Sequence, residues 1–158
     1  MTMANLRAGL IGLGMMGRHH ARVLSGLDGV DLVAVADPAG DPHHVAGDRQ
    51  VLGGVQDIID ARVDYCMVAV PTAYHEEVGL ALAEAGIHTL IEKPLARDVA
   101  SAQRLADAFT AAGLVGGVGH IERYNPALQS ARARIDNADL SEVFQIATRR
   151  QGPFPNRI

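Results

Sequence analysis

The segment Gly12-Leu13-Gly14-Met15-Met16-Gly17 follows an apolar run, Leu6–Leu13, and precedes Met16, His20, Val23 and Leu24 at helical spacing. A G-x-G-x-x-G motif alone is a weak signal, but strand, glycines and helix in that order are what its mechanism requires. Gly12 permits a tight turn, Gly14 lets the backbone approach a pyrophosphate, and Gly17 lets the helix pack close to the strand. The phosphates then lie against the first helical turn, at Met15 and Met16, where free N–H groups and the helix dipole favour anions. The alternative is a glycine-rich turn that binds nothing.

The rest of the chain continues the alternation. Asp31–Ala36 reads as a strand closing on Asp37-Pro38, Val55–Ala61 as a short helix, and Tyr65–Val70 as a buried strand ending at Pro71. Val78, Ala81, Leu82 and Ala85 line a helix that Gly86 closes, and His88–Ile91 is a further strand. Ala102, Leu105, Ala106 and Phe109 line the next helix, with Asp98 as N-cap and Gly113 at its end. Leu114–Gly119 is the following strand, and Asn125-Pro126 opens a last helix with Leu128, Ala131 and Ile135. These strands are near-continuous apolar runs, as expected where helices cover both faces of a parallel sheet. The pattern predicts a doubly wound α/β fold. Glu142–Arg150 falls outside it and reads as a lone strand, followed by the Pro- and Gly-rich Gln151–Ile158. The expected division is therefore 1–124 as a dinucleotide-binding domain and 125–158 as a linking helix and the first strand of a second domain. An unpaired apolar strand tends to find a partner, such as a second copy of the chain.

Composition excludes several classes. A net charge of −4 with no basic run argues against nucleic-acid binding. One cysteine, Cys66, allows neither an intrachain disulfide nor a Cys-based zinc site, and reads as a small core hydrophobe. No apolar stretch has the length of a membrane span, and the N-terminus lacks a signal-peptide pattern, so the cytoplasm is the expected compartment. Lys93 is the one lysine among 14 basic residues.

Further candidates gather where strands end. Asp37 lies 20 residues after Gly17, placed to accept from both ribose hydroxyls of a dinucleotide. A 2′-phosphate would be repelled there, so NAD is preferred to NADP. The bland alternative is an Asp-Pro turn. Val70-Pro71-Thr72 follows the strand at Tyr65; Thr72 is placed to cap the next helix, and His75 lies in that helix's first turn as either a surface residue or a cofactor neighbour. Glu92-Lys93-Pro94 follows the strand at His88. A lysine there can polarise a substrate hydroxyl beside a nicotinamide, or form an ion pair with Glu92. His120, Glu122, Arg123, Tyr124 and Asn125 form a polar cluster suited to a polyhydroxyl substrate or to a capped helix start. His19 and His20 do not share a helix face, and His43-His44 with Asp41 and Asp48 reads as a polar loop, so no metal site is expected.

The stretches RAGLIGLGMMGRHHARVL, VAVAD, VAVPTAYHEEVGLALAEAGIHTLIEKPLA and GHIERYNPAL resemble the N-terminal half of the glucose–fructose oxidoreductase / inositol dehydrogenase / MocA family over Leu6 to Arg150. The E-K-P tripeptide and the G-H-I-E-R-Y-N-P segment carry this resemblance further than the glycines do. It implies a Rossmann NAD(P) domain followed by a substrate-binding and oligomer-forming α/β domain. It implies that Lys93 is the catalytic lysine with a cis Lys93–Pro94 bond, that Thr72, His75 and Glu92 help hold the cofactor, and that Arg123, Tyr124 and Asn125 border a sugar-type substrate. The family's second half, with the residues that accompany the lysine, has no match in these 158 residues. Ala39–Arg49 is a loop where the family has a fuller helix. The chain is thus expected to be a piece of an NAD-dependent dehydrogenase acting on a sugar, nucleotide-sugar or cyclitol alcohol, and to turn over poorly alone. A non-catalytic dinucleotide-binding regulatory or assembly module is the alternative, and a methyltransferase a more distant one.

Overall fold

A computed structural model describes residues 4–139 and 141–149. The described chain divides into two compact units, Met1–His120 and Ile121–Ile158.

The first unit carries a parallel six-stranded sheet. Its strands are β1 (Leu6–Ile11), β2 (Val30–Ala36), β3 (Val51–Leu52), β4 (Tyr65–Val68), β5 (His88–Ile91) and β6 (Gly116–Val118), in the order β3-β2-β1-β4-β5-β6. Four helices belong to it: α1 (Met15–Leu24), α2 (Val55–Asp60), α3 (His75–Glu84) and α4 (Val99–Ala111). The doubly wound reading holds, and β3 is the one strand the sequence pattern does not mark, since two residues carry no periodicity. Ala39–Arg49 contains no helix, as expected.

The apolar strands explain the two-sided core. In β1, Ala8 and Leu10 face α1 together with Leu24, Leu32 and Val35. Ile11 faces the opposite side, with Ile58 of α2, Leu82 of α3, and Leu105 and Phe109 of α4. Leu10, Leu13, Ile58, Leu82 and Leu105 are essentially sealed from solvent. Each such side chain contributes about 1.5–3 kcal/mol through burial. Cys66 sits in this core, fully buried, as expected.

Local chemistry ends the helices where the sequence places the ends. The Asp98 carboxylate accepts from the Ser101 N–H at 2.8 Å at the start of α4. Gly86 and Gly113 take positive φ values of 77° and 66° just past α3 and α4, a conformation that costs glycine little.

The strands stop in register. Leu52, Ala36, Ile11, Val68, Ile91 and Val118 form one row across the sheet. The next residues extend the ladder: Gly12 N–H donates to Ala36, Asp37 to Leu52, Ala69 to Ile11, Glu92 to Val68 and Gly119 to Ile91. Gly12, Asp37, Glu92 and Gly119 are therefore brought to one carboxyl edge by strand length alone.

In the second unit, Ile121–Tyr124 is a short 3-10 turn, and α5 (Pro126–Asp136) begins with Asn125 accepting from the Ala127 N–H at 3.0 Å. The expected strand at Glu142–Arg150 is not formed over 142–149, where Phe144 and Ile146 are exposed. A strand exists through a backbone ladder to a neighbouring strand, and the described residues 142–149 belong to none. Arg150 and Gln151–Ile158 lie outside the described residues.

Candidate functional site

The sheet order reverses direction between β1 and β4, and open α/β sheets bind ligands outside the carboxyl ends at such a point. A cleft of about 670 Å³ lies there. Gly12, Gly14, Met15, Met16, Asp37, Val70 and Pro71 line it, as the sequence predicts. So do Pro38, Ala39, Gly54, Val55, Tyr74, Glu77 and Val78, which sequence reasoning missed. The missed residues follow the carboxyl ends of β2, β3 and β4, so the strand ends were the available signal.

The glycines divide their work visibly. Gly12 has φ 93°, and a Cβ there would lie 2.6 Å from the carbonyl of Ala69. A Cβ on Gly17 would lie 2.0 Å from the Gly12 carbonyl oxygen, so the helix meets the loop backbone to backbone. Gly14 has nothing within 4 Å of its would-be Cβ. It is the N-cap of α1 and makes no side-chain cap bond, which leaves the first-turn N–H groups, at the cleft-lining Met15 and Met16, without a side-chain acceptor from the cap. A cradle with open space at Gly14 and uncapped donors beside it fits a pyrophosphate.

Asp37 closes the other end. Its Oδ2 accepts from the Leu13 N–H and its Oδ1 from the Ala39 N–H, both at 2.8 Å. A carboxylate has about four acceptor positions, so half remain for ribose hydroxyls. Glu77 adds a second carboxylate to the lining, unfavourable for a further phosphate.

The remaining candidates lie off this cleft. Thr72 begins a 3-10 turn, Thr72–Tyr74, and caps neither that turn nor α3; the extra turn displaces the helix start to His75. His75 is no surface residue. It is buried at 1% exposure, with Nδ1 2.9 Å from the Pro94 carbonyl oxygen and Nε2 2.9 Å from that of Val70. The Lys93–Pro94 peptide is cis. Glu92 is buried and does not pair with Lys93. Its Oε1 lies 2.9 Å from Nε2 of His20, and its Oε2 accepts from Lys93's own N–H at 3.1 Å. No local pattern marks His20 as the partner of Glu92, because the two residues lie 72 positions apart. Lys93 itself is exposed.

Arg123, Tyr124 and Asn125 belong to the second unit. The Asn125 amide donates to Glu122 at 3.0 Å while its oxygen caps α5, so the capped-start alternative describes it. The loop histidines hold no metal cluster: among the described residues no three His, Cys, Asp or Glu side chains gather. Asp41 instead accepts from the Val45 and Ala46 N–H groups at 2.8 and 2.7 Å. Among the described residues no helix is long and apolar enough to cross a membrane.

Comparison with known proteins agrees with this geometry. Residues 6–120 match the family described as "Oxidoreductase family, NAD-binding Rossmann fold". Inositol 2-dehydrogenase 4 of Saccharopolyspora erythraea is 39% identical over 137 residues, covering 80% of this chain and 39% of that protein. UDP-N-acetylglucosamine 3-dehydrogenase of Acidithiobacillus ferrooxidans is 33% identical over 157 residues, covering 98% and 48%. The crystal structure of myo-inositol 2-dehydrogenase from Lactobacillus plantarum superimposes with a TM-score of 0.77 at 28% identity, over 88% of this chain and 43% of that one. The chain spans less than half the length of these relatives. Glycine cradle, edge carboxylate and sheet order thus converge with the sequence match: the chain belongs to the glucose–fructose oxidoreductase / inositol dehydrogenase / MocA oxidoreductase family, and residues 6–120 are its NAD-binding Rossmann domain.

Proposed function

We propose that this chain is the cofactor-binding half of an NAD-dependent dehydrogenase that oxidises a secondary alcohol of a sugar, nucleotide-sugar or cyclitol. The observation that carries the proposal is the placement of Lys93, the one lysine, exposed just past β5 on the same carboxyl edge of the sheet as Gly12 and Asp37. When bound, NAD supplies the acceptor for the hydride leaving the alcohol carbon. Gly12, Gly14, Gly17, Met15 and Met16 seat its pyrophosphate, Asp37 takes the ribose hydroxyls, Val70 and Pro71 border it, and Thr72 begins the turn that follows them. The Lys93 ammonium donates a hydrogen bond to the alcohol oxygen and favours negative charge there as the hydroxyl proton departs to a base of the second domain. His75, Glu92 and Pro94 hold the turn that carries Lys93. Arg123 and Tyr124 contribute to the substrate side, with Asn125 fixing the turn between them and α5.

Residues 125–158 belong on this reading to the substrate domain, and the exposed Phe144 and Ile146 support a sheet, and contacts between copies, that would cover them. The inositol and nucleotide-sugar dehydrogenases similar to this chain support the substrate class, and they favour an enzyme over a regulatory module. Calorimetric titration of the chain tests the cofactor half: NADH binds more tightly than NADPH, and Lys93→Ala leaves that binding within about threefold, since a single exposed group contributes little to the ground state. In the complete enzyme the same substitution lowers kcat by about 10²-fold or more, the scale of one proton-transfer or electrostatic group. Full activity of that variant would overturn the assignment of Lys93.

A further inference from the structure

Lys93 is exposed, yet its neighbours on both sides are pinned. Before it, Glu92 is buried, at 6% exposure, and its carboxylate meets His20 at 2.9 Å. After it, the Pro94 carbonyl meets Nδ1 of His75, whose Nε2 meets the Val70 carbonyl, both at 2.9 Å. His20 comes from α1, the helix that begins at the glycine cradle, and His75 from α3, on the opposite face of the sheet. We propose that His20 and His75 are positioning residues for Lys93, two braces that tie its turn to the two segments bordering the dinucleotide, α1 and the Val70–Pro71 turn. The inference deepens the proposed dehydrogenase reading and rests on it.

The hydrogen-bond chemistry favours braces over filler. A carbonyl oxygen only accepts, and a neutral imidazole has one N–H. The His75 ring lies between two such oxygens, 2.9 Å from each, so a ring N–H can donate to either. Apolar side chains would fill the same space without a polar group to satisfy. What a histidine adds is a link between the Val70 carbonyl, one residue before Pro71, and the Pro94 carbonyl, one residue after Lys93. On the other flank, a nearly buried carboxylate needs a donor, and His20 supplies it. Gly119 closes the Glu92 pocket: a Cβ there would lie 3.1 Å from Oε2. The carboxylate is thereby held from α1, from its own backbone and from the end of β6.

The lone lysine makes the test direct. Reductive methylation with ¹³C-formaldehyde labels Lys93 and the N-terminal amine while keeping their charge. The wild-type Lys93 signal is expected to be single and narrow and to move on addition of NADH. In His20→Gln and His75→Gln, measured where circular dichroism shows both folded, the signal is expected to shift or broaden and its response to NADH to be lost. Arg104→Ala, which removes the α3–α4 ion pair to Glu76, is the structural control and is expected to leave the Lys93 signal unchanged. If a glutamine variant does not fold, Gly119→Ala decides, because it crowds Glu92 with both histidines in place. Lys93 signals and NADH responses identical to wild type in the folded variants would overturn the brace. Absence of NADH binding in the wild type would instead overturn the dehydrogenase reading, leaving the brace to be judged from the NADH-free signals.

Discussion

The Asp37 carboxylate accepts a hydrogen bond from the Leu13 backbone N–H at 2.8 Å, across 24 residues of chain. The residue proposed to take the ribose therefore also holds the middle of the glycine loop. Asp37→Ala removes both functions. NADH affinity is expected to fall by about 10- to 100-fold, the scale of one or two charge-assisted hydrogen bonds. The preference for NADH over NADPH should shrink as well, because the charge that repels a 2′-phosphate is gone. Calorimetric titrations with both dinucleotides check this, and an unchanged preference would refute the role of Asp37.

Gly14 and Gly17 are expected to respond in opposite ways to the same change. Gly17→Ala forces a Cβ to within 2.0 Å of the Gly12 oxygen, so α1 must move away from the loop. It should lower stability by about 1–3 kcal/mol, as overpacking does, and abolish NADH binding. Gly14→Ala meets nothing within 4 Å, and Gly14 has φ −74°, which alanine adopts without strain. Its stability should match or slightly exceed wild type, while NADH binding falls because the methyl occupies the pyrophosphate's approach. Thermal melts with paired titrations separate the two.

Asp41 anchors the loop that brings Ala46 into the core. Partial burial raises its carboxyl, but hydrogen bonds from the Ala46, Val45 and His43 backbone, with the nearby His44, outweigh that and hold it below the usual carboxylate range. A depressed folded value means that the stabilisation is complete above the unfolded value and disappears as pH falls through the folded one. Asp41→Asn should therefore be less stable than wild type near neutrality, and the gap should close in acid, below the ordinary aspartate range. Urea melts across that range read the closing gap.

Cys66 lies wholly inside the sheet, and burial pushes its thiol well above the ordinary cysteine value. The thiolate is the reactive form. A thiol reagent is expected to leave the folded chain unmodified and to react in step with denaturant unfolding, which mass spectrometry of the labelled fraction measures.

Much of the fold was legible because its causes are local. Apolar strand runs, the Asp98 cap, the glycines after α3 and α4, and the Asn125-Pro126 helix start each depend on a few neighbouring residues. The glycine cradle and Asp37 were legible because one strand–loop–helix unit and one strand end position them. Residues 142–149 form no strand for the converse reason: their alternation is strand-like, but a strand is a pairing, and pairing is not local.

The contacts that organise the lysine turn are of the second kind. The sequence marks His20 as an ordinary helix residue and allows Glu92 either a cofactor role or an ion pair with Lys93; the stacking of α1 on the sheet instead brings His20 and Glu92, 72 positions apart, into contact. His75 looked equally suited to the surface until α3 packed against the sheet and placed its ring between two carbonyls. The sequence alone specifies most elements of the first unit and the ends at which chemistry is expected, since propensity, capping and turn geometry act over a few residues. Which side chains those ends share is decided only when helices pack on the sheet, since hydrogen bonds act at about 3 Å in space whatever the separation along the chain.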